Sequence, residues 1–346
     1  MKNLLFAVLI ICIFSCKSQP KINSLLELSK DHKVVFLDSL AAAQAIIKDE
    51  KENFFTFINK LDMDIQMKRN SAPESTREEV LEEYKSFLKT DVLDFTKEEI
   101  EFVNKVFKEA YELCNKVSPN IFPKEIKLIK THANHYGEGA YYTRENCIII
   151  PKGQLKMKNY NSFLGTMFHE ISHIYTRYNP AKRKALYKLI GFSNLGNPSN
   201  LLIKDALKKR ILLNPDGINY AYSIDLKEKD GRKYSAIPII ASKMDQYDSD
   251  TPSFFGYLDF NLYKVRIQHA VNVITNSEGK TTVDMDHIPD FFEQITDNTG
   301  YIIHPDEIIA DNFMYIMLRG KENGLNQNFS DPGVELLKNI KMILTN

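Results

Sequence analysis

The sequence predicts an α+β protein. A helical N-terminal region leads to strands and then to a helix carrying His169-Glu170-Ile171-Ser172-His173. A β-rich insertion and closing helices follow. Three observations point this way. Apolar residues recur at helical spacing through much of residues 34–118. The period switches to alternation after Pro119, as strands require. Strand-like runs between residues 181 and 300 then give way to two further helical segments.

The order along the chain begins with a targeting segment. Met1-Lys2-Asn3 carries one positive charge, and Leu4 to Phe14 is an apolar run of signal-peptide length, too short to span a bilayer comfortably. Ser15-Cys16 after that run resembles the bacterial lipobox, although Phe14 stands where that motif prefers a small residue. The resemblance implies a signal peptide over 1–15, lipid on Cys16, a tether over 16–33 and a membrane-anchored place in the cell envelope, facing periplasm or exterior. A plain secretory signal with a chance cysteine is the alternative, and both readings take the chain out of the cytosol. Cys114 and Cys147 would then sit in an oxidising compartment, where they either pair or serve as small buried hydrophobes.

Val34-Val35-Phe36-Leu37 leads into Leu40, Ala43, Ile46 and Ile47 at helical spacing, and Phe54, Phe57, Ile58 and Leu61 continue the pattern. Capping boxes are expected at Ser75 with Glu78 and at Thr96 with Glu99. The second opens a helix through Ile100, Val103, Phe107, Ala110 and Cys114. Glu125–Thr131, Ala140–Tyr142 and Cys147–Ile150 read as strands, the last two joined by a turn at 143–146. Asn161 or Ser162 should cap the helix that reaches Tyr178 before Asn179-Pro180 stops it. Residues 119–346 thus read as one domain interrupted at about 181–300. Strands are expected at Tyr220–Leu226, Ser235–Ser242, Phe254–Val265 and Ala270–Thr275, with turns at 214–217 and 276–279. Helices from Asp306 to Arg319 and from Gly333 to Leu344 close the chain.

Composition narrows the function. The 346 residues hold 43% hydrophobic and 26% charged side chains, ordinary for a globular protein. Lys plus Arg and Asp plus Glu both total 45. A neutral chain gives no sign of the basic face that nucleic acid requires.

The chemistry is concentrated in two short segments. Residues i and i+4 of a helix share one face, so His169 and His173 can point at one metal ion. Glu170 lies part of a turn away, within reach of a water on that metal. Two imidazoles with a third ligand and an open position suit Zn2+, which acidifies the water while a Glu takes its proton. The third ligand is expected in His304–Phe313. Pro305 fits a first helical turn, and Glu307 and Asp311 face the same way. Glu307 would ligate, and Asp311 would accept the ring N–H of a ligating histidine from behind. The alternative is that acidic residues simply favour a helix N-terminus. Tyr301 and His304 could stabilise an oxyanion, or serve as a core aromatic and a cap. His132 and His135 could form another metal pair, or be solvated.

His169-Glu170-x-x-His173 followed by Glu307-x-x-x-Asp311 resembles the gluzincin metallopeptidases, over roughly residues 120–320. The resemblance implies a zincin-like fold and a peptidase of peptide or protein substrates, with Tyr141–Ile150 supplying a strand that holds an extended peptide. The long interval from His173 to Glu307 departs from many members of that clan and implies an insertion. Two rivals stay open: an inactive surface-binding lipoprotein that keeps the fold, and a zinc hydrolase of a non-peptide amide.

Overall fold

The computed structural model of the protein describes residues 24–196, 201–217, 220, 222–320 and 328–346. The expected signal peptide, Cys16 and the first part of the tether lie outside the described residues. The architecture is mixed α+β, with two six-stranded sheets among the described residues. Among the described residues no helix is long and apolar enough to cross a membrane.

Part of the stretch read as a tether, from Ser24, is strand. β1 (Ser24–Glu27) and β2 (Lys33–Phe36) form an antiparallel hairpin, and β2 runs parallel to β4 (Glu125–Thr131). Val34-Val35-Phe36 is therefore a strand, not the start of a helix. Its β-branched residues lie within the sheet, with Val34 and Phe36 buried. The helix begins after it: α1 (Ser39–Ala45) is capped by Asp38, which accepts from the Ala41 amide at 2.8 Å.

Short helices α2 (Phe54–Phe57) and α3 (Lys60–Met67) follow, then α4 (Arg77–Thr90). The box on α4 uses Thr76 with Glu79, one residue later than expected. That on α5 (Lys97–Val117) uses Thr96 and Glu99 as expected. β3 (Val92–Leu93), between α4 and α5, pairs with the end of β4. β6 (Cys147–Pro151) continues the sheet parallel to β4, and β5 (Tyr142–Arg144) closes it antiparallel to β6.

Because side chains alternate along a strand, β4 and β6 feed two cores. Ile126, Leu128, Ile148 and Ile150 pack on one side with residues of α5, α6 (Tyr160–Tyr178), α10 (Pro305–Arg319) and α11 (Asp331–Thr345). Ile129, Cys147 and Ile149 pack on the other with residues of α1 to α4. Residues on both sides of position 118 thus share both cores. Cys114 and Cys147 are buried free thiols in different cores, which decides the open question of their pairing.

α6 starts at Tyr160, slightly before the expected caps, and α7 (Pro180–Leu189) begins where Pro180 stops it. The insertion supplies β7 (Phe192–Asn194), β8 (Leu201–Leu202), α8 (Asp205–Lys208), β9 (Tyr222–Lys227), β10 (Lys233–Ser242), β11 (Leu258–Ile267), β12 (Val271–Val273) and α9 (Pro289–Ile295). Its strands order as β7-β9-β10-β11-β12-β8. Phe254–Tyr257 is a 3-10 turn and not part of a strand. α10 packs on α6 at Gly165, where an added Cβ would lie 3.3 Å from the Met314 sulfur. A side chain at 165 would require the Met314 side chain to give way by a few tenths of an ångström, one turn before His169.

Candidate metal centre

α6 presents His169 and His173 one turn apart, and the first turns of α10 face them. Pro305 sets the first turn of α10, and His304 caps it by accepting from the Asp306 amide at 3.1 Å. This fixes consecutive carboxylates on α10. His169 Nε2 lies 2.9 Å from Glu307 Oε2, and His173 Nε2 lies 3.5 Å from the same oxygen. The ligand atoms of His169, His173 and Glu307 all fall within 4.8 Å of one another.

Each imidazole is gripped at its other nitrogen. His169 Nδ1 donates to Asp311 Oδ1 at 2.9 Å, and His173 Nδ1 donates to Asp306 Oδ2 at 2.7 Å. Those carboxylates are held in turn. Thr299 donates to Asp311. Asp306 Oδ1 accepts from Thr176 at 3.1 Å and from the Tyr187 hydroxyl at 2.5 Å. Asn214 donates to Glu307 Oε1, which leaves Oε2 for the histidines. The structure therefore brings together His169, His173, Glu307 and Asp311. It adds Asp306 and Asn214, which sequence reasoning missed. Asp306 had a signal: it stands beside Glu307 on one helical turn. Asn214 had none, because only the fold carries the 214–217 turn to α10.

Electrostatics follow from this crowding. Burial disfavours the charged ring of His169, but the bonds to Asp311 and Glu307 outweigh it and push its pKa up to about 10. His173 is likewise raised well above the usual histidine range: burial opposes the charge, while Glu307, Asp216 and Asp306 favour it. Burial alone would raise Glu307, but the two imidazoles hold it well below the usual carboxylate range. The surrounding carboxylates thus favour the charged form of both rings.

Glu170 is placed differently. It is buried, and among the described residues its Oε2 has no hydrogen-bond partner; neither has His173 Nε2. Burial, with Asp216 next in effect, pushes the Glu170 pKa up to about 8. Asp216 accepts from the backbone amide and the hydroxyl of Thr143, whose hydroxyl also accepts from Arg177 at 2.8 Å. Glu170, His173 and Asp216 form another group with ligand atoms within 4.8 Å.

The donor set fits a borderline-soft divalent ion. Tetrahedral ligands at 2.0–2.1 Å stand about 3.3 Å apart, and the observed separations are 2.9 and 3.5 Å. The ring nitrogens facing Glu307 are those that the outer carboxylates leave available, the arrangement metal-bound histidines adopt.

The group opens into a cleft of about 380 Å3 lined by Tyr141, Phe254, Phe255, Tyr301 and Met314 among others. The Tyr301 ring stacks on His169 at 6.0 Å, whereas His304 is buried as the cap. The strand expected to hold a peptide is displaced. At Thr143 the backbone amide of β5 is taken by Asp216, and the part lining the cleft is Gly139–Tyr141. His135 is buried between Asp91 at 2.5 Å and the Tyr142 hydroxyl at 3.0 Å, and His132 lies beside Lys152. Neither joins a metal-ligating group among the described residues. Comparison with protein-family models, with curated proteins and with solved structures finds no match.

Proposed function

We propose that the protein is a metal-dependent hydrolase, with zinc the ion and peptide bonds the substrate. The observation that carries this reading is the convergence of His169 Nε2, His173 Nε2 and Glu307 Oε2 beside the buried oxygen of Glu170, which has no hydrogen-bond partner among the described residues. A bound zinc ion would supply an acidified water and polarise a substrate carbonyl. His169, His173 and Glu307 would hold it. Asp311 and Asp306 keep the two rings in the tautomer that leaves Nε2 free. Glu170 takes a proton from the attacking water and returns it to the departing nitrogen, so atoms and charge balance over hydrolysis. Burial, which favours the neutral carboxyl, strengthens Glu170 as a base once ionised. Tyr301, on the rim beside His169, is placed to donate to the carbonyl oxygen as it gains charge.

Peptide is favoured over a small amide by the cleft. The Gly139–Tyr141 segment along the cleft and the aromatic walls at Phe254 and Phe255 suit an extended chain. With the lipid expected on Cys16, the enzyme would work at the cell envelope. The test measures metal content and cleavage of a broad peptide library by the wild type, by the chelated protein and by Glu170→Gln. Stoichiometric zinc with cleavage lost on chelation and in the variant supports the reading. A protein that binds no divalent ion at micromolar concentration refutes it.

A further inference from the structure

A second cavity, larger than the metal cleft, lies outside the metal centre. It is a groove of about 920 Å3 between α2, α4 and the β8–β12 edge of the second sheet. Leu213 lines both this groove and the metal cleft, so the 211–216 segment divides them. That wall is fixed from the groove side. Asn59 donates to the Ile211 carbonyl at 2.6 Å, and Asp62 accepts from the Leu213 amide at 2.8 Å.

Charge in the groove is unbalanced. Arg77 is spent: it donates to the Ile58 carbonyl at 2.8 Å and to those of Phe55 and Thr56, and it pairs with Glu78, the groove's acidic residue, at 3.5 Å. Lys204, Lys208 and Arg266 line the same groove, are exposed, and have no ion pair among the described residues. Apolar surface is exposed beside them. Phe57 is 39% and Leu202 54% accessible, where large apolar side chains are usually covered. Leu202 belongs to β8, which ends its sheet and, among the described residues, has no strand on its outer edge.

We propose that this groove binds an acidic, apolar polypeptide segment in extended conformation, laid along β8 with its carboxylates toward Lys204, Lys208 and Arg266. The cations match acidic side chains, Phe57 and Leu202 take the alternate apolar ones, and the β8 edge supplies main-chain hydrogen bonds. A polypeptide uses all of these features, whereas a simple polyanion uses only the cations. That the segment is a distal part of the substrate rests on the hydrolase reading. The groove would then anchor long substrates while their scissile bond lies beyond Leu213.

The experiment uses the full chain carrying Glu170→Gln, so that nothing is cleaved. A fluorescein-labelled peptide of alternating Glu and Leu is titrated by anisotropy, against the same peptide with Lys for Glu and against anionic phosphatidylglycerol vesicles. The Glu-Leu peptide should bind, more weakly at high salt. The Lys204→Glu, Lys208→Glu, Arg266→Glu triple variant should lose at least roughly tenfold in affinity, as exposed charge pairs sum. Leu202→Ser should weaken binding with the charges intact, and zinc content should match the parent in both variants. Equal binding of the Lys peptide, equal binding by the triple variant, or vesicles competing as well as peptide would each overturn the proposal. Binding of the Glu-Leu peptide together with a wild-type chain that cleaves no peptide supports the groove while removing the hydrolase.

Discussion

Asp306 and Glu307 are neighbours in sequence, yet they serve opposite ends of one imidazole. Asp306 Oδ2 lies 2.7 Å from His173 Nδ1, and Glu307 Oε2 lies 3.5 Å from His173 Nε2. Residues one position apart on a helix point in different directions. Here that divergence wraps two carboxylates around a ring inserted from α6. Asp311, one turn later, does the same for His169 Nδ1.

Metal affinity should divide the carboxylates by role. Glu307→Ala removes a donor from the centre and is expected to strip the ion or loosen it greatly. Asp306→Asn and Asp311→Asn should keep the ion with affinity or activity reduced by about 10–100-fold. Asp306 is the more buried and more heavily bonded of the two, so its variant should lose more. Zinc stoichiometry and competition against a chelator decide this. A Glu307→Ala chain that binds as tightly as wild type takes Glu307 out of the centre.

Glu170→Gln preserves shape and hydrogen-bonding reach but cannot accept a proton. Turnover should fall by about 10²–10⁴ with zinc retained. Near-normal turnover in that variant would mean that another group is the base.

Metal uptake should be coupled to protons. His169 and His173 are raised above the ordinary histidine range, and Glu307 is already ionised. At neutral pH a metal must therefore displace protons from the rings, so apparent affinity climbs as pH rises, by up to about tenfold per unit for each proton displaced. Isothermal titration in buffers of differing ionisation enthalpy counts those protons. An affinity that is flat between about pH 6 and about pH 8 contradicts the assignment of either ring.

Much of this centre was legible because two signals were local. Helical period and a Pro at a first turn located α6 and α10, and i, i+4 spacing paired His169 with His173 and Glu307 with Asp311. What was hidden depended on long-range placement. Val34–Phe36 is an apolar run without a helical or alternating period of its own, and tertiary pairing with β4 made it a strand. Asn214 and Asp216 sit in a turn whose composition announces only a turn. Asn59, Asp62 and Thr143 fix that turn beside α10.

Asp62 holds that segment from the groove side. Asp62 is fully buried, accepts from the Leu213 amide at 2.8 Å and from Gln66 at 2.8 Å, and has no cationic partner among those bonds. Burial is the largest effect, and although both hydrogen bonds favour the charged form, the pKa is pushed up to about 7. The unfolded chain would titrate near 3.8. Between those values the folded state holds a proton that the unfolded state has lost. Stability therefore falls as pH rises from about 4 to about 7, with a slope of at most about 1.4 kcal/mol per pH unit from this group. Above that window the cost is constant. Urea unfolding of wild type and Asp62→Asn at about pH 5 and about pH 8 isolates the effect. Other titrations common to both chains cancel in the difference, provided the amide leaves their surroundings intact. An amide side chain cannot ionise, so the variant should lose less stability than wild type over this interval, whatever its absolute value. Parallel pH profiles for the two chains would show that Asp62 is ionised throughout. The 211–216 segment would then be tied by a buried carboxylate, not by a neutral acid.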